Sequence, residues 1–128
     1  MVAAKTILVV DDEESIRAIL DDILTKAGYN SRLVESAEEA LDILKTETFP
    51  VMFLDIQLPR MSGIELCKKI RQKNPVSLIY AMTGYATVFD VFEFRKAGFD
   101  DCFMKPFVME RILRATEEAF ERVRRWNL

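Results

Sequence analysis

Apolar runs of strand length alternate with helix-patterned segments along the whole chain, and most of these runs stop at a charged or hydroxyl residue. Thr6-Ile7-Leu8-Val9-Val10 runs into Asp11-Asp12, Val51-Met52-Phe53-Leu54 ends at Asp55, residues 78–82 end at Thr83-Gly84, and Cys102-Phe103-Met104 ends at Lys105-Pro106. The first helix carries Ile16, Ile19, Leu20, Ile23 and Leu24 on one stripe and closes at Ala27-Gly28. Residues 31–34 are only half apolar, as an edge strand would be. Ser36-Ala37-Glu38-Glu39 has the form of a capping box and opens a helix that runs to Thr46. A helix after the 56–63 loop ends at Asn74-Pro75, and another over 87–97 is stopped by Gly98. The last helix, 108–125, turns Ile112, Thr116, Ala119, Phe120 and Val123 inward.

Repeated strand–helix units imply right-handed crossovers and a parallel sheet covered on both faces. The expected fold is α/β, a three-layer sandwich with five strands and five helices. The half-polar second strand belongs at an edge and the apolar first, third and fourth inside. Order 2-1-3-4-5 satisfies both, and its switch point falls between strands one and three. The acids Asp11, Asp12 and Asp55 flank that point.

The 128 residues suit one domain, 1–128, with no linker, repeat or low-complexity stretch. A net charge of −3 argues against nucleic-acid binding by the domain as a whole. No apolar run approaches a membrane span. Residues 1–5 carry no signal-peptide pattern, and Cys67 and Cys102 form neither a metal motif nor a disulfide framework, so a cytoplasmic protein with reduced thiols is expected. Histidine is absent, which removes Ser-His and Cys-His nucleophilic machinery and His-ligated zinc. Any phosphohistidine donor must be another molecule.

Singly, each strand-end residue has an ordinary reading: Asp12 as a helix cap, Asp55 as a turn starter, Lys105-Pro106 as any loop. Together they are more specific. Three crowded carboxylates need a nearby cation to stay ionised. Mg²⁺ uses one or two carboxylates, keeps several waters and leaves room for phosphate oxygens. A carboxylate can attack phosphorus, and the charge of the group in transfer then needs a second cation and a hydroxyl donor, which Lys105 and Thr83 supply.

With these residues in view, the chain resembles the receiver domain of two-component response regulators over nearly its full length. The matching motifs are Val9-Val10-Asp11-Asp12-Glu13, the run from Asp55-Ile56-Gln57-Leu58-Pro59 through Arg60-Met61-Ser62-Gly63, Thr83-Gly84, and Lys105-Pro106-Phe107. The resemblance implies a flavodoxin-like fold and Asp55 as phosphoacceptor. It implies Mg²⁺ held by Asp12, Asp55 and the backbone carbonyl of Gln57, with Asp11 acting through water. Thr83, with Gly84, would bind the phosphoryl group as the switch hydroxyl, Lys105 would pair with its charge, and the bond to Pro106 would be cis. It implies a sensor histidine kinase or phosphotransfer protein as donor, recognised by the first helix and the loop after the fifth strand, and an output protein or fused output domain as target. The domain would not be an enzyme beyond its own phosphorylation and dephosphorylation.

Two departures stand out. The family usually carries an aromatic residue three positions before the lysine; here that position is Cys102 and the aromatic is Phe103. Strand neighbours point to opposite faces, so Phe103 is not expected to substitute. Six of the nine phenylalanines fall between Phe89 and Phe107. Val88, Val91, Phe92 and Arg95 share one stripe of the fourth helix, and Phe89 and Phe94 fall away from it. With Cys102, Phe89 and Phe94 suggest an output face on the fourth helix, fifth strand and fifth helix, usable by a partner or a homodimer. Tyr85, two residues after Thr83, is expected to shield the phosphoryl group. Competing readings are a receiver-like module that is never phosphorylated and a haloacid-dehalogenase-like phosphatase. The latter wants a second acid where Gln57 stands, and a cap domain. A nicotinamide or flavin enzyme would want glycines, not acids, after the first strand.

Overall fold

Strands form where β-branched and aromatic residues run without polar interruption, and helices where a period of 3.6 takes over. The computed structural model describes residues 5–126; the amino-terminal reading therefore falls mostly outside the described residues. The elements are β1 (Thr6–Val10), α1 (Glu14–Lys26), β2 (Asn30–Val34), α2 (Ala37–Ile43), β3 (Val51–Asp55), α3 (Gly63–Lys73), β4 (Leu78–Thr83), α4 (Val88–Ala97), β5 (Asp101–Met104) and α5 (Met109–Trp126). All strands pair in parallel in the order β2-β1-β3-β4-β5. The fold is flavodoxin-like, as expected. β1, β3 and β4 are central and carry almost wholly buried residues, whereas the half-polar β2 lies at one edge.

Alternation of side chains across the sheet builds two cores. Leu8, Val10, Met52, Leu54, Ile79 and Ala81 face α2, α3 and α4. Ile7, Val9, Val51, Phe53, Tyr80 and Met82 face α1 and α5. Each fully buried Leu, Ile or Phe contributes about 1.5–3 kcal/mol, so these two layers hold the sheet edge above them rigid.

The helix ends follow their local chemistry. Thr87 and Asp90 form a complete capping box at α4, and Gly98 ends it in the left-handed region. At α2, Ser36 accepts from the Glu39 N–H, but the Glu39 carboxylate turns back to the Glu35 N–H rather than to Ser36, so the expected box is half formed. The helix also ends at Ile43, short of Thr46, and continues only as turns.

The fourth helix corrects the expected output face. Phe94 is buried at 4% exposure and meets Phe99 edge-on at 6.1 Å. It belongs to the core beside Ala97, not to an exposed patch. Val88, Phe89, Val91 and Phe92 are the exposed large apolar residues of α4. The apolar residues of α4 surround the helix, so the helix's placement against α3 and β5, not its own pattern, selects the buried side. Cys102 is half-buried against that same core, while Phe103 packs against Phe53 and Tyr80 on the other face. The two neighbours therefore point apart, as expected.

Candidate functional site

The strand-end residues meet at the carboxyl edge of the sheet, at the β1/β3 switch point. Asp11, Asp12 and Asp55 each place a carboxylate oxygen within 4.8 Å of the others. Asp11 and Asp55 are buried and Asp12 is exposed. Asp12 is not the cap of α1; that position is Glu13, and no side chain caps the helix. The capping reading is thus replaced by the cluster reading.

Lys105 closes the cluster. Its Nζ lies 2.9 Å from Asp11 Oδ2, 3.5 Å from Glu13 Oε1 and 3.6 Å from Asp55 Oδ1. Burial pulls the Lys105 pKa down, but the Asp11 contact and the charges of Asp11, Asp55 and Glu13 outweigh it and leave it above its ordinary value. The Lys105 ammonium is thus the group that meets the buried Asp11 Oδ2. The bond between Lys105 and Pro106 is cis, in line with the resemblance.

The Asp55 pKa is raised to about 6, chiefly by burial. The Asp11 charge pushes the same way, Lys105 and the Gln57 N–H oppose, and Asp12 adds a smaller upward push. That N–H donates to Asp55 Oδ1 at 3.2 Å. The β3–α3 loop is held close by Gly63, whose N–H donates to the Ile56 carbonyl at 3.0 Å. A Cβ at position 63 would lie 2.1 Å from the Asp55 carbonyl oxygen, so only glycine permits this approach.

Thr83 is buried at the end of β4. Its hydroxyl donates to the Tyr85 carbonyl at 2.8 Å and accepts from the Tyr85 N–H at 3.3 Å. The Tyr85 side chain is 74% exposed, so it forms no packed cover over Asp55 in this state. Gly84 has open space around it, and no steric demand fixes glycine there.

Sequence reasoning missed two supports. Arg17, largely buried, donates to the Asp11 carbonyl at 2.8 Å, and Glu13 reaches Lys105 from beside the acid turn. Arg17 follows the helical stripe at a polar position, and nothing in its spacing reveals a contact to a backbone carbonyl.

The donor set fits a hard divalent cation such as Mg²⁺. It offers oxygen ligands only, and one oxygen of each of the three carboxylates converges with the others at the sheet edge. Fold and site together define a flavodoxin-like α/β domain with an acid-and-lysine pocket at its switch point. The family model described as the response regulator receiver domain matches residues 7–117, and the chain belongs to that family. It is 41% identical over 103 residues to the alkaline phosphatase synthesis transcriptional regulatory protein PhoP of Bacillus subtilis, covering 80% of this chain and 43% of that protein. A CheY-like receiver domain from Methanospirillum hungatei is 31% identical with a TM-score of 0.89, covering 94% of this chain and 97% of that one. The BeF3-activated DrrB receiver domain is 30% identical with a TM-score of 0.84, covering 91% and 97%. The chain spans from about a quarter to about half of the length of the curated relatives it matches.

Proposed function

We propose that residues 1–128 form a single receiver domain that takes a phosphoryl group onto Asp55 from a phosphohistidine of a partner kinase or phosphotransfer protein. The supporting observation is a buried carboxylate, faced by one ammonium and two further acids, at the open edge of the sheet. With its pKa near 6, Asp55 is mostly ionised at neutral pH and available as a nucleophile. One carboxylate oxygen forms the new P–O bond as the P–N bond to the donor imidazole breaks.

Asp12, Asp55 and the Gln57 carbonyl would hold Mg²⁺, with Asp11 acting through water; the ion supplies charge neutralisation at the phosphoryl oxygens. Lys105 is already turned toward Asp55 and neutralises the added charge without a large movement. The Thr83 hydroxyl exchanges its bond to the Tyr85 carbonyl for a phosphoryl oxygen. That exchange frees the 84–87 loop and shifts the start of α4. Because Phe103 is packed on the opposite face from Cys102, the signal runs through Thr83 and this loop rather than through an aromatic side chain of β5.

The domain is a non-enzymatic switch in the cytoplasm. Its output goes to a partner protein or fused output domain, as the transcriptional role in the relative's name suggests. The exposed Val88, Phe89 and Phe92 stand next to the moving loop and form the part of the output face that a partner or second copy would read. In a backbone NMR titration with Mg²⁺ and beryllofluoride, resonances of residues 83–88 should shift in wild type and stay fixed in Asp55→Asn. A wild-type spectrum unchanged around Thr83 overturns the switch.

A further inference from the structure

The ends of α2 and α3 that lie farthest from the acid cluster enclose a groove of about 410 Å³. Its floor is Leu41, Leu44 and Ile70, and its rim carries the exposed lysines Lys45, Lys69 and Lys73. A second depression of about 370 Å³ shares Lys73 and extends it past Val76, itself 54% exposed. No ion pair or hydrogen bond engages Lys69 or Lys73 among the described residues. Lys45 meets only its neighbour Asp42, at 3.7 Å in full solvent. The single carboxylate on the rim, Glu47, is occupied by Arg32, with both oxygens within 3.0 Å of one guanidinium nitrogen. An acidic chain with a net charge of −3 thus presents here a local excess of positive charge around an apolar trough.

Lys69 and Lys73 are four residues apart on one helix, so they stand one above the other about one turn apart along the trough wall. That spacing matches carboxylates at i and i+4 of a helix lying alongside. The open shape between two helices suits the mode in which an amphipathic helix lays its apolar side into a groove. We infer that this groove is a docking site for an acidic amphipathic helix of a partner protein, with leucine-like anchors on Leu41, Leu44 and Ile70 and glutamates on Lys69 and Lys73. It lies at the edge of the sheet opposite Asp55, so binding does not depend on phosphorylation and holds the domain near its partner in both states of the switch.

The test is a backbone NMR titration of the full chain with a synthetic helical peptide of about four turns, bearing leucines along one side and glutamates every fourth residue beside them. Perturbations should centre on residues 41–48 and 69–76 and weaken with salt. They should be equal with and without beryllofluoride. Affinity should fall about tenfold in a Lys69→Glu/Lys73→Glu variant and in a Lys69→Gln/Lys73→Gln variant, whose neutral, exposed side chains leave the fold intact. Equal binding of a peptide with lysines in place of the glutamates overturns the proposal, as does indifference to the charge reversal or perturbation centred elsewhere. Self-association of the chain that the double variant abolishes assigns the groove to a second copy and also overturns it. Failure of the titration leaves the Asp55 switch untouched, because the two sites share no residue.

Discussion

Replacing Asp55 with asparagine should stabilise the fold at neutral pH. The buried Asp55 carboxyl has its pKa raised from an ordinary 3.8 to about 6, chiefly by burial and next by the charge of Asp11. A raised acid prefers its protonated form in the fold. The destabilisation is therefore absent below the unfolded value of 3.8, grows between there and about 6, and is constant above. The shift corresponds to about 3 kcal/mol at neutral pH. Asparagine carries no charge, keeps an oxygen for the Gln57 N–H, and places its amide among the carboxylate oxygens of the cluster. Burying that amide costs about 1 kcal/mol, leaving a net gain of about 2 kcal/mol. Urea unfolding followed by circular dichroism, in chelator and across pH, measures it. The variant should be slightly less stable than wild type at pH 4 and below, match it near about pH 4.5, and exceed it by about 2 kcal/mol above pH 6. Added Mg²⁺ should narrow the gap by stabilising wild type more. A difference independent of pH, or a less stable variant at neutral pH, would refute the reasoning that crowded, buried charge strains this pocket.

Three further perturbations follow. Lys105→Met removes the one ammonium facing Asp55, so the Asp55 titration midpoint read by carboxyl NMR should rise above 6; an unchanged midpoint contradicts the pairing. Gly63→Ala puts a Cβ 2.1 Å from the Asp55 carbonyl oxygen. The start of α3 must retreat by about 1 Å, and overpacking less the helix-propensity gain leaves a loss of about 1–2 kcal/mol, read from the urea midpoint. Full tolerance of alanine contradicts the close approach. Arg71→Met deletes donors to the carbonyls of Gly98 at 2.8 Å and Ser77 at 2.6 Å and leaves Asp100, paired with it at 2.8 Å, only the Ile79 N–H. Chemical denaturation should show a loss of about 2–4 kcal/mol, and a loss under about 0.5 kcal/mol would reduce the clamp to an ordinary surface pair.

The strand order and the pocket were readable because both depend on residue type at strand ends. β2 betrays its edge position by polarity, and Asp11, Asp55, Thr83 and Lys105 each interrupt an apolar run at the same edge. What was not readable depends on contacts to backbone or on packing. Arg17 and Arg71 bond main-chain carbonyls, and a carbonyl leaves no mark on the sequence. The burial of Phe94 is not legible because α4 has apolar residues on every side, so its buried face is set by α3 and β5. Tyr85 was expected to shield the site, but a ring's direction out of a loop is not fixed by its position in the chain.

The central claim is that Asp55 accepts a phosphoryl group. Intact mass after incubation with a small acyl-phosphate donor, with and without Mg²⁺, tests it directly in wild type and Asp55→Asn. One phosphoryl adduct should form, require Mg²⁺ and be lost in the variant. An adduct that survives in Asp55→Asn, or none in wild type together with no response to beryllofluoride, contradicts it.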